Sequence, residues 1–404
     1  MFFIERTAFF EFTTESRVMS QSAPSGPLNG IKIVEFAGVG PAPFGAMLLA
    51  DMGADIITID RTTPHGLGIK KEARFNPTTR SRPSMGLDLK TAEGQALALR
   101  LVAQADGLIE GNRPGVMERL GLGPDACWAV NPRLVYGRMT GWGQDGPLAH
   151  TVGHDLNYLA LSGMLSLIGP RDGAPSIPLN LMADYAGGGL YLALGMLAAL
   201  LETRNSGRGQ VIDAAMIDGL GSLMTNQYGY YGSGRWVHQR EANFLDGGAP
   251  WYNVYETSDG KYISIAPVER KFFNTLLQTI GLDPASVPDM FDREAWPDLK
   301  SKFTTIFRSR SREEWCRLFE GLEVCFAPVL DAMDAQDHPH MLARSAFVDV
   351  EGVRHTAPAP RFSRTPNAIR RAPPQPGENT AEILQAWGLG EGEIAALHAA
   401  KTIS

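Results

Sequence analysis

From Ile31 the chain reads IKIVEFA, then GVGPAPFGAMLLADMG, then ADIITID. The outer two are short β-rich runs and the middle one is apolar at helical spacing, so the stretch predicts a βαβ unit. That unit constrains the rest of the fold: its strands must run parallel, and a parallel sheet must be covered by helices on both faces. The texture recurs as a helix from about Thr91 to Gln104 (TAEGQALALRLVAQ), a strand at GLIEG, a helix near Val116 to Leu120 and a strand at RLVYGRM. The expectation is an α/β fold on a doubly wound parallel sheet, with ligands beyond the carboxyl ends of the strands. Between Asp155 and Glu202 the only charges are Arg171, Asp172 and Asp184, which predicts interior structure in the order helix, proline loop, helix. Tyr185 to Leu201 is uncharged and opens on Gly187-Gly188-Gly189. It is shorter than the roughly 20 apolar residues a bilayer requires, so it reads as a buried helix.

The texture changes after about Asn226. WYNVYETSDGKYISIAPV alternates as two strands joined at Ser258-Asp259-Gly260, a hairpin signal, and helical stretches come next at RKFFNTLLQTIG and SREEWCRLFEGL. Ala357 to Gly377 carries six prolines and four arginines and is expected to run extended over a surface. A last amphipathic pattern, ENTAEILQAWG, is suited to docking back on the core. These shifts divide the 404 residues into an N-terminal extension (1–27), a large domain (28–225), a small α/β domain (226–345) and a C-terminal segment returning to the large domain (346–404). The opening MFFIERTAFFEFTTESRV carries three glutamates and neither a basic leader nor a small-residue cleavage site, so a secretory or transit peptide is not expected and Met19 is an alternative start. The final Lys401-Thr402-Ile403-Ser404 is not the Ser-Lys-Leu type of peroxisomal address.

Partners are bounded by charge and cysteine usage. A net charge of −7 offers no general attraction to nucleic acid or acidic lipid, so an anionic ligand must be met by a local cluster. Cys127, Cys316 and Cys325 are odd in number, widely spaced and without His at metal-ligand spacing, which predicts neither a disulfide framework nor a zinc site, and a reducing, cytoplasmic setting.

Three motifs carry chemistry. Gly38-Val39-Gly40, Gly45 and Asp60 invite a dinucleotide-binding reading, but Pro41 and Pro43 stand where that fingerprint needs free amides and a glycine; a tight turn explains the glycines better. Arg61, Lys70, Lys71, Arg74, Arg80, Arg82, Lys90 and Arg113 gather near expected strand ends, where a phosphorylated ligand would suit them, although each alone also fits a solvated face. The sharper set is Gly153-His154-Asp155, Asn180, Asp184 and Glu269. Asp184 in NLMADYAGGG places a carboxylate at the head of an apolar helix, where capping is an equally good account; His154 and Glu269 alone fit structural and surface roles. Spacing does not bring these groups together.

EFAGVGPAPFGAMLLADMGADIITID, DGLIEGNRPGVMERLGLGPD, GRMTGWGQDGPLAHTVGHDLNYLALSG, LNLMADYAGGGLYLALGMLAALLE and GRGQVIDAAMIDG closely resemble the family III (CaiB/BaiF-type) CoA-transferase superfamily and, within it, the α-methylacyl-CoA racemase branch. The resemblance runs from about Leu28 to beyond Thr365 and takes in DGGAPWYNVYET and PAPRFSRTP. It implies a Rossmann-like large domain completed by the C-terminal segment, a smaller α/β domain, and an interlocked homodimer in which Glu269 of one chain meets His154 of the other. It further implies an isomerase inverting 2-methylacyl-CoA thioesters, with His154 and Asp184 as the two acid/base groups, one on each face, and Glu269 orienting the imidazole. The backbone N–H at Asp155 would stabilise the enolate, and Asn180 and Tyr252 would line and support the site. Arg61 and Arg113, with Lys90 and Arg82, would meet the adenosine and phosphates of CoA. CoA is then part of the substrate, and no metal or other cofactor is implied. The alternative is a CoA-transferase with Asp155 as nucleophile; a non-catalytic acyl-CoA binder would be favoured by loss of these ionisable groups, all of which are present. Leu156, Leu159, Met164, Leu165 and Leu181 point to a hydrophobic acyl tail, such as a branched fatty or sterol-derived group.

Overall fold

The computed structural model describes residues 26–63 and 69–404. The expectations on the first 18 residues and on Met19 lie outside that range. Six strands form one parallel sheet: β1 (Lys32–Phe36), β2 (Asp55–Asp60), β3 (Ser84–Gly86), β4 (Gly107–Glu110), β5 (Val135–Thr140) and β6 (Val211–Ala215), in the order β3-β2-β1-β4-β5-β6. β1 is the centre, with Val34 beside Ile57 on one flank and Leu108 on the other. The order reverses between β1 and β4, the position where such sheets usually take a ligand.

Helices cover both faces, as continuous runs of buried Ile, Val and Leu in the strands require. α1 (Pro41–Asp51) follows β1, α2 (Ala92–Val102) follows β3, and α3 (Val116–Arg119) and α4 (Pro124–Val130) lie between β4 and β5. α5 (Asp155–Leu161), a π-helix (Leu181–Gly189) and α6 (Leu190–Ser206) lie between β5 and β6, and α7 (Met216–Leu223) and α8 (Thr225–Gly232) follow. One apolar cluster joins α1, α5, α6 and α7 to one face of the sheet. A second, on the other face, joins α2 to Ile383, Leu384, Trp387 and Ile403 of the C-terminal segment. The proline-rich stretch runs without helix or strand and is tied down by backbone, Ala368 N–H donating to the Asp51 carbonyl.

A third apolar cluster belongs to β7 (Asn253–Glu256), β8 (Tyr262–Ile265), α9 (Arg270–Thr279), α10 (Trp296–Phe307), α11 (Arg312–Phe319) and β9 (Phe326–Val329), with β8 central in an antiparallel sheet. The hairpin turns where expected, at Gly260 with φ +70°. α12 (Pro339–Ala343), an antiparallel hairpin of β10 (Phe347–Val350) and β11 (Val353–Thr356), α13 (Thr380–Ala386) and α14 (Glu391–Ala399) complete the described chain.

One expectation is corrected. The apolar stretch after Asp184 is not buried all round: Leu190, Leu194 and Leu201 lie on an exposed stripe of α6, at the i, i+4, i+11 spacing of a single helix face. Leu181–Ser206 is long and apolar enough to cross a membrane by length and composition, and half of its most apolar window is buried inside the protein.

Candidate active site

The carboxyl edge of the sheet assembles the site. α5 and the π-helix present their N-terminal ends to each other, and one side chain joins them. Asp155, the first residue of α5, is 6% exposed, and its Oδ2 accepts from the backbone N–H groups of Ala183 and Asp184, both at 2.8 Å. Among the described residues, its Oδ1 is buried without a hydrogen-bond partner. His154 caps α5 in an extended conformation, its N–H donating to Asn157 Oδ1 at 3.0 Å, and is exposed. Asp184 sits half-buried within the π-helix, and Asn180 Nδ2 donates to its Oδ2 at 3.0 Å. Such i→i+5 stretches are rare and concentrate at functional sites.

Glycine makes the seat for Asp184. Gly40, with φ +70°, ends the β1–α1 turn, and a Cβ built there would stand 3.3 Å from Asp184 Oδ2. The carboxylate therefore lies at the head of α1, where an amide end favours negative charge. That is also where a dinucleotide's pyrophosphate would rest, so the structure disfavours the dinucleotide reading as the broken fingerprint does. Close approach of the elements depends on Gly187-Gly188-Gly189: a Cβ at Gly188 would fall 3.0 Å from Pro41 Cβ, and one at Gly219 only 1.9 Å from the Gly187 carbonyl.

Electrostatics connect the pieces. Burial raises the Asp184 carboxyl above the usual aspartate range; the Asn180 hydrogen bond opposes this, the like-charged Asp155 adds to it and His154 works against it. Burial also raises the Tyr158 phenol, Asp184 reinforcing and Arg113 opposing the shift. The sequence motifs do not single out Tyr158. It stands one helical turn beyond His154, its hydroxyl donates to the Gly153 carbonyl, and its ring packs edge-on against Trp142. The i, i+4 spacing is the signal that could have found it.

The expected phosphate-binding cations separate into two kinds. Arg61, Lys90 and Arg113 are exposed in the loops that leave β2, β3 and β4. Arg82 is not among them, and that expectation is corrected. It is 1% exposed, its Nε lies 2.8 Å from Glu35 Oε2 of β1, and Thr58 Oγ1 donates to the same oxygen, so it neutralises a buried carboxylate inside the fold. Glu269 is exposed at the head of α9, and Tyr252 is half-buried against the third apolar cluster. Among the described residues no hydrogen bond joins Glu269 to His154 within one chain, and no group of three or more His, Cys, Asp or Glu is placed to hold a metal ion.

Residues 28–380 match CoA-transferase family III. The chain belongs to that family. It is 41% identical over 378 residues to the mouse α-methylacyl-CoA racemase, covering 93% of this chain and 97% of the relative, and 40% identical over 381 residues to the human one with the same coverage. Among solved structures it is similar to a CaiB/BaiF family protein from Brucella suis, with a TM-score of 0.77 and 27% identity over 90% of this chain and all of the other. These likenesses agree with the doubly wound order of the large sheet.

Proposed function

We propose that this chain interconverts (2R)- and (2S)-2-methylacyl-CoA thioesters by 1,1-proton transfer through an enolate. The observation that carries the reading is the convergence of an exposed His154 and a half-buried Asp184 on two helix heads that Asp155 joins, in a chain about 40% identical to curated racemases. Inversion next to a thioester needs one group to take the α-proton and another to return one from the opposite face. His154 and Asp184 fill these roles. A carboxyl held above its ordinary proton affinity is better matched to returning a proton near neutral pH. The backbone N–H at Asp155, in the first turn of α5 where amides lack intrahelical partners, faces developing charge on the thioester oxygen.

CoA enters as part of the substrate, its phosphates met by Arg61, Lys90 and Arg113, and the proton relay needs no metal or other cofactor because both proton carriers belong to the protein. The working unit is a homodimer in which Glu269 of the partner subunit orients His154. The exposed leucine stripe of α6 supports such an interface. We place the enzyme in the cytoplasm, without membrane or nucleic-acid partners; its three free cysteines and acidic balance support this. The CoA-transferase alternative is less supported, since the Asp155 carboxylate it requires as nucleophile is buried and engaged by two amides.

The test is incubation of one enantiomer of a 2-methylacyl-CoA in deuterated water with no acyl acceptor. Inverted product carrying α-deuterium is expected. Retained configuration without deuterium, with turnover only when an acceptor acid is added, would establish the transferase instead.

A further inference from the structure

Among the groups at the sheet edge, Asp155 carries a buried carboxylate that the proton-transfer scheme leaves unused. We propose that the Asp155 carboxylate is a positioning group that holds Asp184 in register with His154. The inference rests on the racemase reading and goes beyond it, because that reading asks only for the backbone N–H of Asp155.

The geometry is specific. Oδ2 receives two amides at 2.8 Å, and one of them is the N–H of Asp184 itself. A carboxylate accepting paired amide bonds is a strong, directional contact, and this one lies across a helix-to-helix junction. The π-helix lacks the usual i→i+4 ladder in its first turn, so an outside acceptor substitutes for part of it. Asp155 is also fixed from its own side, as the residue directly after His154 at the head of α5. One side chain therefore sets the spacing between two proton carriers 30 residues apart in sequence.

Charge gives a second consequence. The Asp155 carboxylate is a buried like-charged neighbour of Asp184 and raises its proton affinity. The other titratable groups facing Asp184 from α5 are His154 and Tyr158, with Arg113 acting on Tyr158. The turn that leads into α1 contributes the bare backbone of Gly40, while Asp218 on α7 acts on Asp213.

Two variants of the full chain separate position from charge, using one enantiomer of a 2-methylacyl-CoA at a time in deuterated water. Asp155→Asn keeps an acceptor oxygen for the amides and removes the charge. Inversion should stay within about tenfold of the parent. The acid limb of kcat/KM, for the enantiomer whose exchange is lost in Asp184→Ala, should move to lower pH. Asp155→Ala removes the acceptor as well, and inversion should fall by about a hundredfold or more, with α-deuterium exchange on the Asp184 face suffering more than on the His154 face. An unmoved acid limb in Asp155→Asn, or equal losses on both faces in Asp155→Ala, would overturn the proposal. Should the alanine variant fail to fold, the acid limb of the asparagine variant decides alone. If the parent enzyme itself gives no inverted, deuterated product, the racemase reading fails first, whatever the variants do.

Discussion

At the scale of single residues, the site depends on small groups that control one carboxyl. Asn180 donates to Asp184 Oδ2 and so stabilises its ionised form. Asn180→Ala removes that support, so the Asp184 carboxyl should hold its proton to higher pH. The acid limb of kcat/KM for the enantiomer that Asp184 deprotonates should then move up in pH, opposite to the shift expected of Asp155→Asn; a pH–rate profile in each variant checks the pair. Gly40→Ala acts by space, because its Cβ would stand 3.3 Å from Asp184 Oδ2 at a φ of +70° that side chains rarely adopt. We expect folded protein with turnover reduced by at least about tenfold, measured as kcat beside an unchanged circular dichroism spectrum. Arg113→Ala should raise KM more than it lowers kcat, because a phosphate contact remote from the reacting carbon supplies uniform binding. These identities were legible in the sequence as candidates. Their convergence was not, since His154 and Asp184 meet only through the packing of α5 on the π-helix, and no local pattern encodes that contact.

Elements divide in the same way. The parallel sheet was legible because β-branched runs alternate with helical spacing, and the β7–β8 hairpin because Asp259-Gly260 marks its turn. The π-helix was not, since Leu181–Gly189 reads as any apolar helix, and its glycines announce close approach without saying what approaches. The β10–β11 hairpin was equally hidden: its turn sets Glu351 at φ +51° before Gly352, and glutamate is an uncommon residue in that conformation. Arg82 shows the limit for charges, because a cation in a loop beside a strand end reads alike whether it faces solvent or a buried Glu35. The structure turns that ambiguity into a prediction. Arg82→Ala leaves the Glu35 carboxylate uncompensated and should destabilise the fold by about 3–5 kcal/mol. Denaturant unfolding measures that loss, and any residual enzyme should keep the parent KM for its CoA thioester. A raised KM with full stability would return Arg82 to the phosphate site.

At the scale of the whole molecule, His154 lies exposed at the head of α5, Glu269 lies exposed at the head of α9, and among the described residues no hydrogen bond joins them within the chain. An imidazole that must alternate between acid and base benefits from a carboxylate that fixes its tautomer, so the proposed site is complete only when a second subunit brings its Glu269 across. The leucine stripe of α6 is apolar surface that such an assembly would cover. Leu194→Glu combined with Leu201→Glu should therefore give monomers without activity, read by light scattering beside the racemisation assay. Subunit mixing tests the geometry more sharply. His154→Ala and Glu269→Ala dimers should each be nearly inactive. After unfolding together and refolding, a hybrid dimer has one site with both defects and one with neither. Random pairing of equal amounts makes about half of the dimers hybrids, so about a quarter of the parent activity should return. If His154 and Glu269 instead served within one chain, every site in every hybrid would carry one defect. Mixing would then restore nothing.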